Sequence, residues 1–408
     1  VNNRIRMAGV IVALSAFSSA AHAVAEVEYL DVLPAGMVVI TSSINNNGRI
    51  TGINLFSPIH GMVYQRGAGG VPIDLGTLGG AESSAGRSND AGTIVGSAEL
   101  ANGNSRAFVY TGTPGSGTMT ALGTLGGDDS YGSDINNAGQ VVGVADTGNP
   151  DSTEHAFLHV GTPGSGTMHD LGTLGGPLSL ASAINASGVI VGQSNVANDD
   201  IHAFAYSGTP GAGGHMVDLG TLGGNGSSAQ DINDSGVIVG YSYTADNPSG
   251  NSSRHAFKYI GTPGSGTMYD LGTLGDSESM AYAVDSFGNV VGRSSQEGGP
   301  LHAFLYTGTP GAGGHMHDLD VWLDALNPIE GAKWQLSSAT GINDQGLIVG
   351  EGTYNDGPGG LADGNRGFVL DASALILPEP ASLGAMLIMT ALLPRRSRPA
   401  GPAFHAPR

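Results

Sequence analysis

Leu180-Ala181-Ser182-Ala183-Ile184 alternates with a period of two, as a half-buried strand does, and Asn185-Ala186-Ser187-Gly188 follows as a tight-turn signal. The turn has a mechanism: an Asn or Asp side chain folds onto the backbone two residues on, and Gly supplies a positive φ without steric cost. Val189-Ile190-Val191-Gly192 is apolar on both faces, which suits a strand buried on both sides. His202-Ala203-Phe204-Ala205-Tyr206 sets three bulky side chains on one face and two alanines on the other, so one face is bulky and the other flat. Met216-Val217-Asp218-Leu219 is a fourth short strand, reached through the loop Gly208-Thr209-Pro210-Gly211.

The same pattern recurs along the chain. Phrases close to Asp-Leu-Gly-Thr-Leu-Gly-Gly start at Asp74, Ala121, Asp170, Asp218, Asp270 and Asp318, at spacings of 47, 49, 48, 52 and 48 residues. Between them a turn phrase has Asn or Asp at Asn45, Asn89, Asn136, Asn185, Asn233, Asp285 and Asn343, each with Gly three residues later. The His-Ala-Phe phrase stands at His155, His202, His255 and His302, with looser copies at His60, Arg106 and Arg366. Seven units of about 48 residues, each with four strands, predict an all-β, seven-bladed β-propeller. A β-solenoid or another blade number is the alternative. The last unit has no Asp-Leu-Gly-Thr strand of its own, and Tyr29-Leu30-Asp31-Val32-Leu33 resembles the missing one. A strand at 29 to 33 that completes the last blade would close the ring and remove its exposed edges.

The ends read as addresses. Arg4 and Arg6 precede an apolar run to Phe17, and Ala21-His22-Ala23 is a small-x-small cleavage site, so residues 1–23 read as a secretory signal peptide. The repeat domain spans 24–377. From 378 to 408 the order is Pro378-Glu379-Pro380, an apolar stretch at 381–393, and basic Arg395, Arg396 and Arg398. Thirteen residues are too few for a straight span of a bilayer, which needs about 20. This order resembles the PEP-CTERM sorting signal of Gram-negative bacteria, although its apolar stretch is short and its tail continues past the arginines. The resemblance implies a signal peptidase and an exosortase-like enzyme as processing partners, a transient membrane hold through 381–393, and an exported protein of the cell envelope or extracellular space.

Composition changes the picture in two ways. The absence of Cys leaves neither disulfides nor thiolate metal sites, so packing and sheet hydrogen bonds carry the stability. The formal charge is −20, and −25 once both end segments are excluded, because six of the 15 basic residues and one of the 35 acidic ones, Glu379, lie in them. So acidic a surface repels nucleic acid and anionic lipid and favours cations or neutral sugars.

The three phrases, from about Tyr29 to Leu370, resemble the HAF family of extracellular repeats, named for its His-Ala-Phe strand. The resemblance implies a secreted or envelope-associated bacterial protein and brings no catalytic residue with it.

The row His60, His155, His202, His255 and His302 has the residue type of a metal ring, but Arg106 and Arg366 occupy the same position, and a guanidinium has no lone pair to give. What His and Arg share is a donor, so the row reads as a repeated structural hydrogen bond to the Asp of the fourth strand or the Asn of the turn. Ala121 replaces that Asp in the second unit. No catalytic, cofactor or metal residue is assigned. The Gly-Thr-Pro-Gly loops lack the Lys and helix of a phosphate cradle. Oxygen donors gather at Asn355-Asp356-Gly357, Asp363-Gly364-Asn365 and Asp246 to Asn251 without EF-hand spacing; they read as solvated loops, with calcium as the one cation such donors suit. Residues 320–336, with Trp322 and Trp334, read as a capping loop on the last blades. The function expected is a non-enzymatic interaction module for polysaccharide or other surface proteins. The alternative is a propeller glycan hydrolase or lyase, which would bring Glu330, Glu351, Asp356 or Asp363 together as a carboxyl pair in one axial pocket.

Overall fold

The computed structural model describes residues 27–29, 39–55, 57–66, 71–149, 153–245, 253–357 and 364–376. The chain is all-β and propeller-like, built of four-stranded antiparallel sets that follow one another in sequence, the fifth and sixth joined by a parallel pairing of Arg254 with Glu278. In the fourth unit Gly175–Ile184, Ile190–Val196, Ile201–Ser207 and His215–Asp218 pair in that order. The bulky and flat faces of the third strand explain how units stack. Ala203 and Ala205 of the fourth unit pack against Phe257 and Tyr259 of the fifth, and Ala156 and Leu158 of the third against Phe204 and Tyr206 of the fourth. The same ring-on-alanine contact joins Ala256 to Phe304 and Tyr306. Each fully buried Phe contributes about 1.5–3 kcal/mol through its apolar area.

One irregularity recurs in the first strand of every unit. Pairing in the fourth unit runs Ala181 to Gly192 and then Ala183 to Val191, so Ser182 is the extra residue of a β-bulge. Ser42, Ser133, Gln230, Tyr282 and Thr340 are skipped in the same way, and in the second unit Gly86 and Arg87 are both skipped. The bulge explains the Gly that ends the Val-Gly phrase. A Cβ on Gly52, Gly143, Gly192, Gly240, Gly292 or Gly350 would collide with a carbonyl oxygen beside the bulge. The Phe of His-Ala-Phe is the cross-strand partner of that Gly, as in Gly192 with Phe204 and Gly292 with Phe304. Two of the three sequence phrases are therefore parts of one bulge–glycine–ring assembly.

The Asp-Leu-Gly-Thr phrase joins one unit to the next. Asp218 Oδ1 accepts from the Gly220 N–H at 2.7 Å, and Gly220 holds φ at 76°. The Gly220 carbonyl in turn accepts from Ser227 Oγ at 2.6 Å, on the first strand of the fifth unit. Ser227 Oγ also accepts from the Ala203 N–H at 2.8 Å, tying that strand back to the third strand of the fourth unit.

At the ends of the repeat, Val27–Tyr29 pairs antiparallel with Gly364–Asp371, and Tyr29 stands opposite Phe368 as Asp218 stands opposite Phe204. The strand expected at 29–33 thus begins two residues earlier; 30–33 lie outside the described residues, as do 1–23 and 378–408. The stretch expected as a capping loop is helical: α1 (Leu319–Leu326), N-capped by Asp318, and α2 (Pro328–Gly331). Leu319 and Leu323 bury against Trp334, Leu336 and Phe368, so the segment does pack on the last unit. No helix among the described residues is long and apolar enough to cross a membrane.

Candidate functional site: a divided central cavity

The turn asparagines meet at one end of the assembly. Asn45 Oδ1 accepts from the N–H groups of Asn47 and Arg49 inside its own turn, while its Nδ2 donates to the carbonyl of Asn89 in the next unit at 2.8 Å. The link repeats from Asn89 to Asn136, Asn136 to Asn185, Asn185 to Asn233 and Asn233 to Asp285, at 2.8–3.2 Å. Asn343 Nδ2 donates back to the Asn45 carbonyl across 298 positions of sequence. The sixth unit differs because Asp285 is a carboxylate and has no N–H to offer. Its oxygens accept instead from Phe287 N, Asn289 N and Asn289 Nδ2, and burial pushes its carboxyl above the usual range. These turns surround a cavity of about 230 Å³.

The middle is closed by charge. Two residues before each turn Asn or Asp stand Ser43, Arg87, Asp134, Ala183, Asp231, Ala283 and Gly341, a column of small residues interrupted by one base and two acids. Arg87 pairs with Asp231 and lies 3.9 Å from Asp134 Oδ2. The remaining carboxylate oxygens are committed to backbone: Asp134 accepts from Ile135 and Ile184 N–H, and Asp231 from Val284 N–H. Burial raises the Asp134 carboxyl despite Arg87, and the two acids hold the Arg87 guanidinium charged.

Beyond Arg87 lies a second cavity, of about 400 Å³, and Arg87 lines both. Its wall is made by the bulges: Ser42, Ser133, Ser182, Gln230, Tyr282 and Thr340 all face it. A bulge re-aims a side chain that regular pairing would set elsewhere, and here it does so once per unit towards one space. The wall is uneven. Small hydroxyls come from the first, third, fourth and seventh units, while the fifth to seventh also bring Gln230, Tyr282, Arg293 and Glu351. Burial pushes the Tyr282 phenol up, so it stays a protonated donor at neutral pH. This volume lies within the range of small-molecule pockets, about 300–1,000 Å³.

The residues singled out from sequence lie elsewhere. His60, His202 and His255 Nδ1 are 2.8 Å from Asp74, Asp218 and Asp270, and His155 and His302 Nδ1 are 2.9 Å from Asp170 and Asp318. Arg106, where Ala121 replaces the Asp, donates to the carbonyls of Ser105 and Asp128. Arg366 lies over the Tyr354 ring at 5.3 Å. Of the four carboxylates named for catalysis, Glu351 lines the larger cavity, Glu330 pairs with Lys333 and Asp356 accepts from Tyr354. Asp363 and the stretch from Asp246 to Asn251 lie outside the described residues, and no group of three metal-ligating side chains occurs among the described ones. Sequence reasoning missed Arg87, Asp134, Asp231 and the bulge residues. The charged interruptions in an otherwise small column were the available signal for the first three.

No family model matches the chain, and no curated protein matches it. Among solved structures it is similar to a mutant of the Aleuria aurantia lectin in complex with Fucα1-6GlcNAc, at 14% identity, covering 69% of this chain and 94% of that one with a TM-score of 0.35. At this level of likeness, blade number and ligand rest on the geometry of the chain itself.

Proposed function

We propose that this chain is a non-enzymatic saccharide-binding module: a closed, seven-bladed β-propeller whose bulge-lined cavity takes a polyhydroxyl ligand. The observation that carries this reading is the convergence of six bulged residues, four hydroxyl side chains, one phenol and one amide, on a single 400 Å³ space. Such groups both donate and accept, as sugar hydroxyls do, and Tyr282 adds an aromatic face. Ring closure is supported by the Asn343–Asn45 link and by the pairing of Val27–Tyr29 with the last unit. Glu351 is the one carboxylate among the described residues that line this cavity, so the described wall offers no carboxyl pair and binding is the reading it supports.

The resemblance to HAF repeats, the signal-like residues 1–23 and the PEP-CTERM-like residues 378–408 support an exported, envelope or matrix protein that meets polysaccharide, trimmed by a signal peptidase and an exosortase-like enzyme. A glycan-array screen of the chain from 24 to 377 tests the binding reading. Signals that disappear in Tyr282→Ala and Gln230→Ala variants are expected; signals unchanged by both would place binding elsewhere.

A further inference from the structure

The larger cavity carries a charge arrangement that the repeat does not explain. The residue after the conserved Gly of the second strand is neutral in the first five units: Ile53, Ser97, Val144, Gln193 and Tyr241. In the sixth and seventh it is Arg293 and Glu351, and both line the cavity. Neither makes an ion pair among the described residues. The ion pairs of Arg87, Arg254 and Lys333 involve other acids, and among the described residues Arg293 has no carboxylate within ion-pairing distance. Its Nη2 points at Met280 Sδ, 3.5 Å away, and the Tyr282 hydroxyl points at the same sulfur at 3.4 Å. A thioether is a weak acceptor, so the strongest donors of this wall are left with capacity for a ligand. The guanidinium also lies over the Tyr282 ring, 5.8 Å from its centre, which holds the cation near the aromatic face.

This wall suits one ligand chemistry. An ammonium ligand would find Glu351 but would share the cavity with Arg293, a like charge. A neutral sugar needs no cation. A carboxylate matches the two-pronged donor edge of Arg, and the hydroxyls on the same ring match Glu351 as acceptor. The acidic surface works against anions at long range, but salt confines that repulsion to about 8 Å, whereas the Arg293 contact is direct.

Resting on the saccharide reading above, we propose that the cavity selects a uronic-acid residue, with Arg293 holding its carboxylate, Glu351 accepting from its hydroxyls and Tyr282 covering its face.

The test compares an oligogalacturonate with its carboxyl-reduced counterpart, titrated calorimetrically into the full chain, the Arg293→Gln variant and the Tyr282→Ala variant. The inference expects the uronate to bind at least ten-fold tighter than the reduced sugar, and that ratio to fall to near one in Arg293→Gln while binding of the reduced sugar is unchanged. Equal binding of the two sugars, or a ratio that survives in Arg293→Gln, overturns the uronate assignment and leaves the saccharide reading standing. If neither sugar binds, or Tyr282→Ala changes nothing, both fall.

Discussion

Gly192 and Leu180 approach so closely across the first two strands of the fourth unit that a Cβ on Gly192 would collide with the Leu180 carbonyl oxygen. The bulge at Ser182 creates this approach, and the equivalent glycines of the neighbouring units meet the same obstacle. Because the obstacle is backbone, it cannot swing away. Gly192→Ala should therefore destabilise the fold by about 1–3 kcal/mol or more, the range of overpacking in a tight interior. Gly172→Ala makes a useful contrast: its Cβ would meet nothing, so its cost is the backbone strain of φ 71° alone. Urea denaturation of the two variants measures the difference, and equal costs would show that the bulge is not rigid.

The His–Asp pairs should differ in worth according to exposure. His202 and Asp218 are 21% and 41% exposed, and a screened pair of this kind contributes about 0.2–1 kcal/mol. His302 and Asp318 are 8% and 13% exposed, and Asp318 also caps α1. His302→Ala should cost about 1–3 kcal/mol, because it leaves a nearly buried acceptor short of a donor, and His202→Ala distinctly less. His202→Arg should be tolerated better than His202→Ala, since Arg106 already serves the same position. Thermal melts of the three variants decide it, and loss of bound zinc in them would point to a metal role instead.

The His–Asp pairs should favour mild acid. Hydrogen bonds donated to Asp170 and Asp318 raise His155 and His302 above their ordinary 6.5, so this contribution is complete below 6.5 and is lost as pH rises through the raised value. Burial pushes Asp170, Asp270 and Asp318 up, but their His partners and backbone N–H groups more than offset it. These carboxyls end below 3.8, and their contribution is complete above 3.8 and lost as pH falls through the lowered value. Asp134, Asp285 and Asp320 are raised, mainly by burial, so their charged forms cost stability that is regained on the acid side. Burial lowers His159 and His317, which costs stability as pH falls below 6.5 and opposes the His155 and His302 contribution. The change in melting temperature from pH 5 to pH 8 should therefore be more positive in a variant with His155→Gln and His302→Gln than in the unsubstituted chain, and an identical change in the two would contradict this.

Removing residues 24–36 should destabilise the last unit well beyond the effect of a lost terminus, because Val27–Tyr29 supplies the fourth strand paired with Phe368 to Leu370. Hydrogen exchange should then quicken at Gly364–Asp371 and spread to Leu347–Tyr354. Unchanged protection there would argue against closure through this strand.

Much of the unit was legible from residues alone. The period of two in 180–184, the Asn-x-x-Gly turns and the bulky and flat faces of His202 to Tyr206 each announce their geometry locally. The bulge was not legible: one extra residue at Ser182 leaves Ala183 and Ile184 buried side by side, which breaks the alternation in a way that resembles noise. The helix α1 was hidden because Asp318-Leu319 opens like the four copies at Asp74, Asp170, Asp218 and Asp270. Only the replacement of the Gly that adopts positive φ in those copies, by Asp320, lets the chain continue into a helical turn. The pairing of Arg87 with Asp231 joins residues 144 positions apart, a distance that no local pattern spans.

The most direct test of the account is the stoichiometry of saccharide binding, measured by calorimetry on the chain and on its Tyr282→Ala variant. A single uneven cavity walled by Gln230, Tyr282, Arg293 and Glu351 predicts one ligand per chain and loss of binding in the variant. A stoichiometry near the number of repeats, undiminished by Tyr282→Ala, would mean that the units bind one by one and that the central cavity is not the site.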